Sequence, residues 1–203
     1  MTQKYCIISK EKFELYLEKE LSMENGASSY LRFLDGDKNG FVELVTDYKD
    51  GLTLFVNTII RDIHISEEVA NEVFLKLYVK KPKYKSSYSF KTWLYTIGKN
   101  TAINYVKKFR RIDYSSIEDC CYISDEKDVE SDYIKGEQNL IIHQTLKTLK
   151  ADYAQVLYLI FFEELSNEEA AKVMGKTKKQ ISDLIYNAKK ALKSELERRS
   201  RNE

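Results

Sequence analysis

Proline is nearly missing from this chain: Pro82 is the only one in 203 residues, and there are seven glycines. Tight turns and strand ends draw on these two residue types, so their scarcity disfavours a sheet-rich fold and points to helices. Cysteine is also scarce. Cys6 stands alone, and Cys120 and Cys121 are adjacent, with no C-x-x-C spacing. That spacing argues against a zinc site and a disulfide framework, leaving incidental thiols of a reducing compartment. No apolar run approaches the roughly 20 residues that cross a bilayer. Ile7 and Ile8 are followed at once by Lys10, Glu11 and Lys12, unlike the core of a secretory signal. A cytoplasmic protein without membrane insertion is expected. His64 and His143 fall in no metal-ligand or catalytic motif, so neither a metal, a cofactor nor an enzymatic activity is expected.

The most informative absence is of acid. From Val73 to Ile112 there is no Asp or Glu, while Lys and Arg number eleven and aromatic rings nine. Net charge over the whole chain is only +1, so this block is offset elsewhere. Residues 1–72 carry −6, 73–112 carry +11, 113–175 carry −9 and 176–203 carry +5. Two basic surfaces set among acidic ones suit two separate contacts with a polyanion. Cations interleaved with rings suit phosphate tracking and the stacking of unpaired bases.

Read in order, residues 9–21 and 29–34 have helical spacing. Asp35, Asp37, Asn39 and Gly40 match the first half of a calcium loop, but its twelfth position is Thr46 instead of the bidentate Glu. A capped turn is the better reading. Phe41, Leu44, Val45, Tyr48, Leu52, Phe55, Val56, Ile59 and Ile60 continue with helical spacing, and Gly51 is expected to kink or divide the run. A new helix is expected to start at Ser66, with Val69, Val73, Phe74 and Leu77 inward and Glu68, Asn71, Glu72 and Lys76 in water. Pro82 stops it, and a polar loop follows. The next helix spans about Phe90–Phe109, with Leu94, Ile97, Thr101 and Tyr105 inward. Trp93 borders the buried side, and the cations and Asn100 have no packing role.

Residues 113–136 are acidic and unpatterned, as a linker is. Beyond them, Glu137–Leu149 and Ala151–Phe162 read as helices, the second apolar nearly all round and therefore central. Ser166 and Glu169 form a capping box, Gly175 supplies a left-handed turn, and Thr177 caps a further helix packed through Ile181, Leu184, Ile185 and Ala188. A short helix, a glycine turn and a longer helix make the helix-turn-helix plan, whose second helix enters the DNA major groove. The expected fold is all-α: two small helical domains joined by an acidic linker, the second a helix-turn-helix.

Two stretches resemble one family. Ser66 through Tyr78, followed by Ser89-Phe-Lys-Thr-Trp-Leu-Tyr-Thr-Ile-Gly-Lys-Asn100, and Leu165 through Leu192 are similar to the sigma-70 initiation factors of bacterial RNA polymerase, in the extracytoplasmic-function (ECF) group. The resemblance implies a domain 2 over residues 35–112, a linker over 113–136 and a domain 4 over 137–203, preceded by an extension, 1–34, without assigned function. It implies docking on core RNA polymerase through Glu68, Asn71 and Glu72. It implies binding of the −10 element, duplex and melted, by Tyr84, Lys85, Ser86, Lys91, Trp93, Lys99, Asn100, Lys107, Lys108, Arg110 and Arg111. Reading of the −35 element would fall to Thr177, Lys178, Lys179, Gln180, Ser182, Tyr186 and Lys189. Promoter DNA and core polymerase are the implied partners, with room for an anti-sigma factor. Two departures stand out: Asn71 where Gln is usual, and Ser182, Asp183 and Leu184 in the middle of a recognition helix that is often basic. The rival reading is a stand-alone helix-turn-helix regulator.

Overall fold

The computed structural model describes residues 26–85, 87–113 and 144–199, and every regular element among them is a helix. The expected helix at 9–21, most of the acidic linker, the start of the helix at 137 and Ser86 lie outside the described residues. The first half comprises α1 (26–34), α2 (Lys38–Ile60), α3 (Ile63–Lys80) and α4 (Phe90–Asp113). The second comprises α5 (144–148), α6 (Ala151–Phe161), α7 (Asn167–Met174) and α8 (Lys178–Arg199).

The half calcium loop is a capped turn. Asp37 is the N-cap of α2, its carboxylate accepting from the Asn39 amide at 2.9 Å, and Arg32 bridges it to Glu43.

Two expected boundaries are corrected. Helix α2 runs unbroken through Gly51, because the residues on either side keep their helical hydrogen bonds and Leu52 and Phe55 are fully buried. Helix α3 begins at Ile63, with Asp62 and not Ser66 as its cap. The Asp62 carboxylate accepts from the Ile65 amide at 3.0 Å, and the earlier start buries Ile63. Ser66 then lies inside the helix, buried, its hydroxyl donating to the Asp62 carbonyl at 2.6 Å.

The expected inward faces are the buried ones. Val69, Val73, Phe74 and Leu77 face the core from α3, and Leu94 and Thr101 do so from α4; Ile97 and Tyr105 are half-buried. Burying one such aliphatic side chain contributes about 1.5–3 kcal/mol. An aromatic cluster closes the end of this half: Trp93 lies 5.4 Å from Tyr30, 5.5 Å from Phe90 and 5.4 Å from Tyr84, centroid to centroid. The Tyr30 hydroxyl donates to the Pro82 carbonyl at 2.7 Å and ties α1 to the loop that precedes α4.

Helix α6 is central, as its apolar composition predicts. It packs on α8, α2 and α7. The buried cluster therefore runs without interruption from Leu44, Leu52 and Phe55 to Val156, Leu159 and Ile181. The two halves pack directly on each other, which the linker-separated pair of domains expected from the sequence does not include.

Candidate nucleic-acid and polymerase interfaces

Three surfaces carry the residues singled out in the sequence. On α3, Glu68, Asn71 and Glu72 are exposed, and Glu72 pairs with Lys76 at 2.6 Å along the helix. Leu75 and Val79 extend the same face and are 60% and 68% exposed. They follow Glu68 at i+7 and i+11, so they lie above it on one stripe. Neither is among the site residues expected from the sequence, although apolar residues lying off the buried Val69–Leu77 stripe are themselves a signal for a partner.

The second surface is built on α4 and the loop before it. Lys85, Asn100, Lys107 and Lys108 are exposed. Asn100 stands two turns beyond Trp93 on nearly the same face, about 10 Å along the axis. Arg110 and Arg111 continue the backbone of α4. Tyr84 and Trp93 are less free than a pair of stacking rings would be. Both are half-buried against the aromatic cluster, and the Tyr84 hydroxyl donates to the Tyr88 carbonyl at 2.6 Å. Burial pushes the Tyr84 phenol above its ordinary range. Tyr88 is the more exposed ring of this loop, and the Lys172 ammonium sits 4.9 Å above it.

Lys91 and Lys99 correct the expectation that these cations lack packing partners. Lys91 pairs with the Glu163 carboxylate at 3.1 Å and reaches the Glu163 carbonyl at 3.3 Å. Lys99 donates to the Met174 carbonyl at the end of α7. Burial lowers the Lys99 ammonium pKa, as does the nearby Lys176, while Asp152 opposes them. Both lysines are engaged by the other half of the chain.

The third surface is the α7–turn–α8 unit. The Ser166 hydroxyl accepts from the Glu169 backbone amide, and the Glu169 carboxylate accepts from the Ser166 backbone amide, completing the capping box. Gly175 ends α7 with φ 66, a left-handed conformation that a side chain would strain. A second reciprocal cap opens α8: the Gln180 amide donates to the Thr177 hydroxyl at 3.2 Å, and the Thr177 amide to the Gln180 side chain at 2.8 Å. Ile181 and Ala188 are buried beneath the helix. Ser166→Ala should therefore lower stability by about 1 kcal/mol, the usual value of a removed N-cap. An unchanged chemical-denaturation midpoint would show that the cap contributes nothing.

Thr177, Lys178, Lys179, Gln180, Ser182, Tyr186 and Lys189 are all exposed on α8 or at its start. Tyr186 is a large aromatic side chain left open on this helix, at 72% exposure. Lys178 forms a surface pair with Glu168 at 2.6 Å, which high dielectric makes weak and easily exchanged for phosphate. Ser182 is partly committed, donating to the Lys178 carbonyl at 3.2 Å and lying 3.4 Å from the Asn167 amide nitrogen. The Lys189 ammonium rests 5.0 Å above Phe161. Gln180 spends its side-chain oxygen on the cap.

The fold and these surfaces define an all-helical protein with a helix-turn-helix and a second basic face. The family described as Sigma-70 region 2 matches residues 44–112, and Sigma-70, region 4 matches residues 139–192. RNA polymerase sigma-H factor of Pseudomonas aeruginosa is 31% identical over 186 residues, spanning 87% of this chain and 96% of its own length. The ECF RNA polymerase sigma factor SigW of Bacillus subtilis is 25% identical over 170 residues, spanning 79% and 91%. Among solved structures, the sigma factor RpoE in complex with the anti-sigma factor NepR from Bartonella quintana has the same fold, with a TM-score of 0.60, 20% identity, and coverage of 77% of this chain and 96% of that one. CnrH in complex with the cytosolic domain of CnrY gives 0.58 at 19% identity, covering 86% and 96%. The chain belongs to the sigma-70 family of RNA polymerase sigma factors, in its ECF group, and its function is transcription initiation at promoters. The stand-alone regulator reading finds no support among these relatives.

Proposed function

We propose that the chain divides as its two basic surfaces do: a domain 2 over residues 35–112, a linker over 113–136 and a domain 4 over 137–203, after an extension 1–34. The exposed stripe of Glu68, Asn71, Glu72, Leu75 and Val79 docks on core RNA polymerase, its acids facing cations and its two aliphatic residues covering apolar surface. The exposed face at the start of α8 carries the reading. Lys178, Lys179, Ser182 and Tyr186 stand exposed there together, placed to enter the major groove at the −35 element once Lys178 leaves Glu168. Gln180, held in the cap, offers only its amide nitrogens. Asp183, also exposed, accepts from a cytosine amine and repels phosphate, so it biases the target sequence.

The loop from Tyr84 to Ser89, Trp93 and Asn100 hold bases of the −10 element once the strands part. Lys85, Lys107, Lys108, Arg110 and Arg111 hold the backbone around the fork. Stacking one base on a ring gains about 1–3 kcal/mol, comparable to the cost of unstacking it. Melting therefore leans on the polymerase and the surrounding cations. The protein works in the cytoplasm beside the polymerase and makes or breaks no bond itself. An anti-sigma protein, as in the complex of its fold neighbour RpoE, is proposed as a further partner.

Replacing Tyr84 and Asn100 together by alanine tests the base pocket. Open-complex formation, followed by permanganate reactivity of thymines near the start site, should fall about 10-fold or more, as the removal of two interactions of this size implies. Polymerase binding should be unchanged. Normal melting by the double variant would remove the pocket from α4.

A further inference from the structure

Helix α1 precedes the residues matched by either family, yet it reaches the loop proposed to take bases of the −10 element. Its backbone is tightly seated. A Cβ at Gly40 would lie 2.3 Å from the Ser29 carbonyl oxygen, so α1 and α2 cross with their main chains in contact. The Ser29 hydroxyl donates to the Glu43 carboxylate at 2.7 Å, and Arg32 pairs with the same group. Tyr30, the next residue after Ser29, therefore starts from a Cα with little room to move.

From there its side chain reaches two kinds of group. The ring is fully buried, 5.5 Å from Phe90 and 5.4 Å from Trp93. These are the same two rings on which Tyr84 of the loop packs, at 5.7 Å and 5.4 Å. The hydroxyl donates to the Pro82 carbonyl at 2.7 Å, where the loop begins. Burial pushes this phenol up to about 12, so it remains a donor throughout the neutral range. One residue earlier, Lys81 ends α3 with φ 42, a left-handed conformation that a lysine keeps only where its surroundings hold it. The Lys81 ammonium rests 4.7 Å above Phe33 of α1. Two consecutive residues at the loop entrance are thus tied to α1, and the second is a proline whose ring fixes its own φ.

We propose that Tyr30 is a positioning residue for promoter recognition: through the Pro82 carbonyl and the Phe90 and Trp93 rings, it holds the loop between α3 and α4 in the shape that discriminates among −10 bases. Being fully buried, it touches no DNA itself. A loop held in place accepts only a base whose edge meets its fixed hydrogen-bonding groups. A loose loop settles around a wrong base as well, and tells the two apart less sharply. The proposal rests on the −10 reading of this loop given above.

Two variants loosen the loop from opposite sides of one hydrogen bond. Tyr30→Phe removes the hydroxyl and keeps the ring in the aromatic cluster. Pro82 is only half-buried, so water can replace the lost donor and the fold is kept. Pro82→Gly leaves the carbonyl and Tyr30 in place and frees the backbone beside them. Neither residue is among the proposed DNA contacts.

Holoenzyme assembled from core polymerase and the 203-residue chain would transcribe a promoter recovered from a duplex library, together with its single-base variants across the −10 element. The quantity read is the ratio of transcription between the best and the worst base at each position. Each variant should lower that ratio about 3-fold to 10-fold at one or two positions, the scale of one hydrogen bond. The double variant should lower it no further than the larger single change, because both act through one loop. Core binding, the upstream footprint and circular dichroism should match the parent. Unchanged ratios, or a loss shared equally by every promoter, would reduce Tyr30 to a packing role and overturn the proposal. Ratios that fall additively in the double variant would overturn it too, since Tyr30 would then act apart from the loop. The Tyr84→Ala, Asn100→Ala protein separates this proposal from the reading beneath it. If its ratios fall while those of Tyr30→Phe do not, the loop reads bases and Tyr30 does not position it. If its own ratios are unchanged, the −10 site lies elsewhere and the proposal falls with it.

Discussion

Reversing the charges of Glu68 and Glu72 to lysine is expected to weaken binding of core RNA polymerase on the order of 100-fold. Both side chains are exposed on α3, and their helix is anchored from beneath by Val69, Val73 and Leu77, which are at most 1% exposed. The substitution therefore changes what the face presents without disturbing the fold. Like charges brought together across an interface cost several kcal/mol, and about 2.7 kcal/mol is a hundredfold. The Leu75 and Val79 pair separates the two contributions. Leu75→Ala with Val79→Ala removes apolar surface and leaves the acids, so it should weaken binding through faster dissociation and with little salt dependence. The charge reversal should instead lower the association rate and do so most at low salt. Surface plasmon resonance of immobilised core at two salt concentrations distinguishes them. Wild-type affinity in the charge-reversed protein would move the docking face off α3.

Lys178→Ala with Lys179→Ala is expected to abolish most protection upstream of the promoter. Both residues sit in the first turn of α8, where a recognition helix meets the groove, and both are exposed. Removing one lysine from a phosphate should lower the slope of log affinity against log salt by about one, so two lysines predict a decrease of about two. Lys178 first has to leave Glu168, but that pair is 63% and 70% exposed and contributes little. Affinity of the holoenzyme for promoter DNA should fall about 10-fold to 100-fold, whereas binding to core polymerase stays as it was. If instead one lysine reads a base edge, its removal relaxes selectivity at one position while the slope falls by only one. Footprinting over a salt series reads both outcomes, and an unchanged upstream footprint would exclude these lysines from the DNA interface.

Those parts of the chain whose physics is local were legible in its sequence. Ser166, Glu169, Gly175 and Thr177 specify the ends of two helices within twelve residues, and each acts on its near neighbours. The stripe Val69, Val73, Phe74 and Leu77 announces itself by spacing alone. Helix starts were less legible where two caps compete. Asp62 and Ser66 are both good cap residues, and the choice fell to Asp62 because the earlier start buries Ile63. The seam between the halves had no sequence signature at all. Lys91 and Glu163 are 72 residues apart, Ser89 and Glu169 are 80 apart, and no periodicity relates them. Lys91 and Lys99 read as DNA-facing because charge on a helix normally points to solvent. Tyr84 likewise carries an aromatic ring in a polar loop, and only the packing of Phe90 and Trp93 against it shows how much of that ring is committed to structure.

Transcription in a purified system tests the central assignment most directly. Core RNA polymerase, the 203-residue chain and a library of promoter-length duplexes would be combined, and the transcripts sequenced from their 5′ ends. The chain is expected to co-purify with core polymerase, and starts are expected only when it is present, downstream of a shared pair of elements near −35 and −10. Binding of the chain to palindromic duplex without polymerase, together with no new starts in its presence, would contradict that assignment.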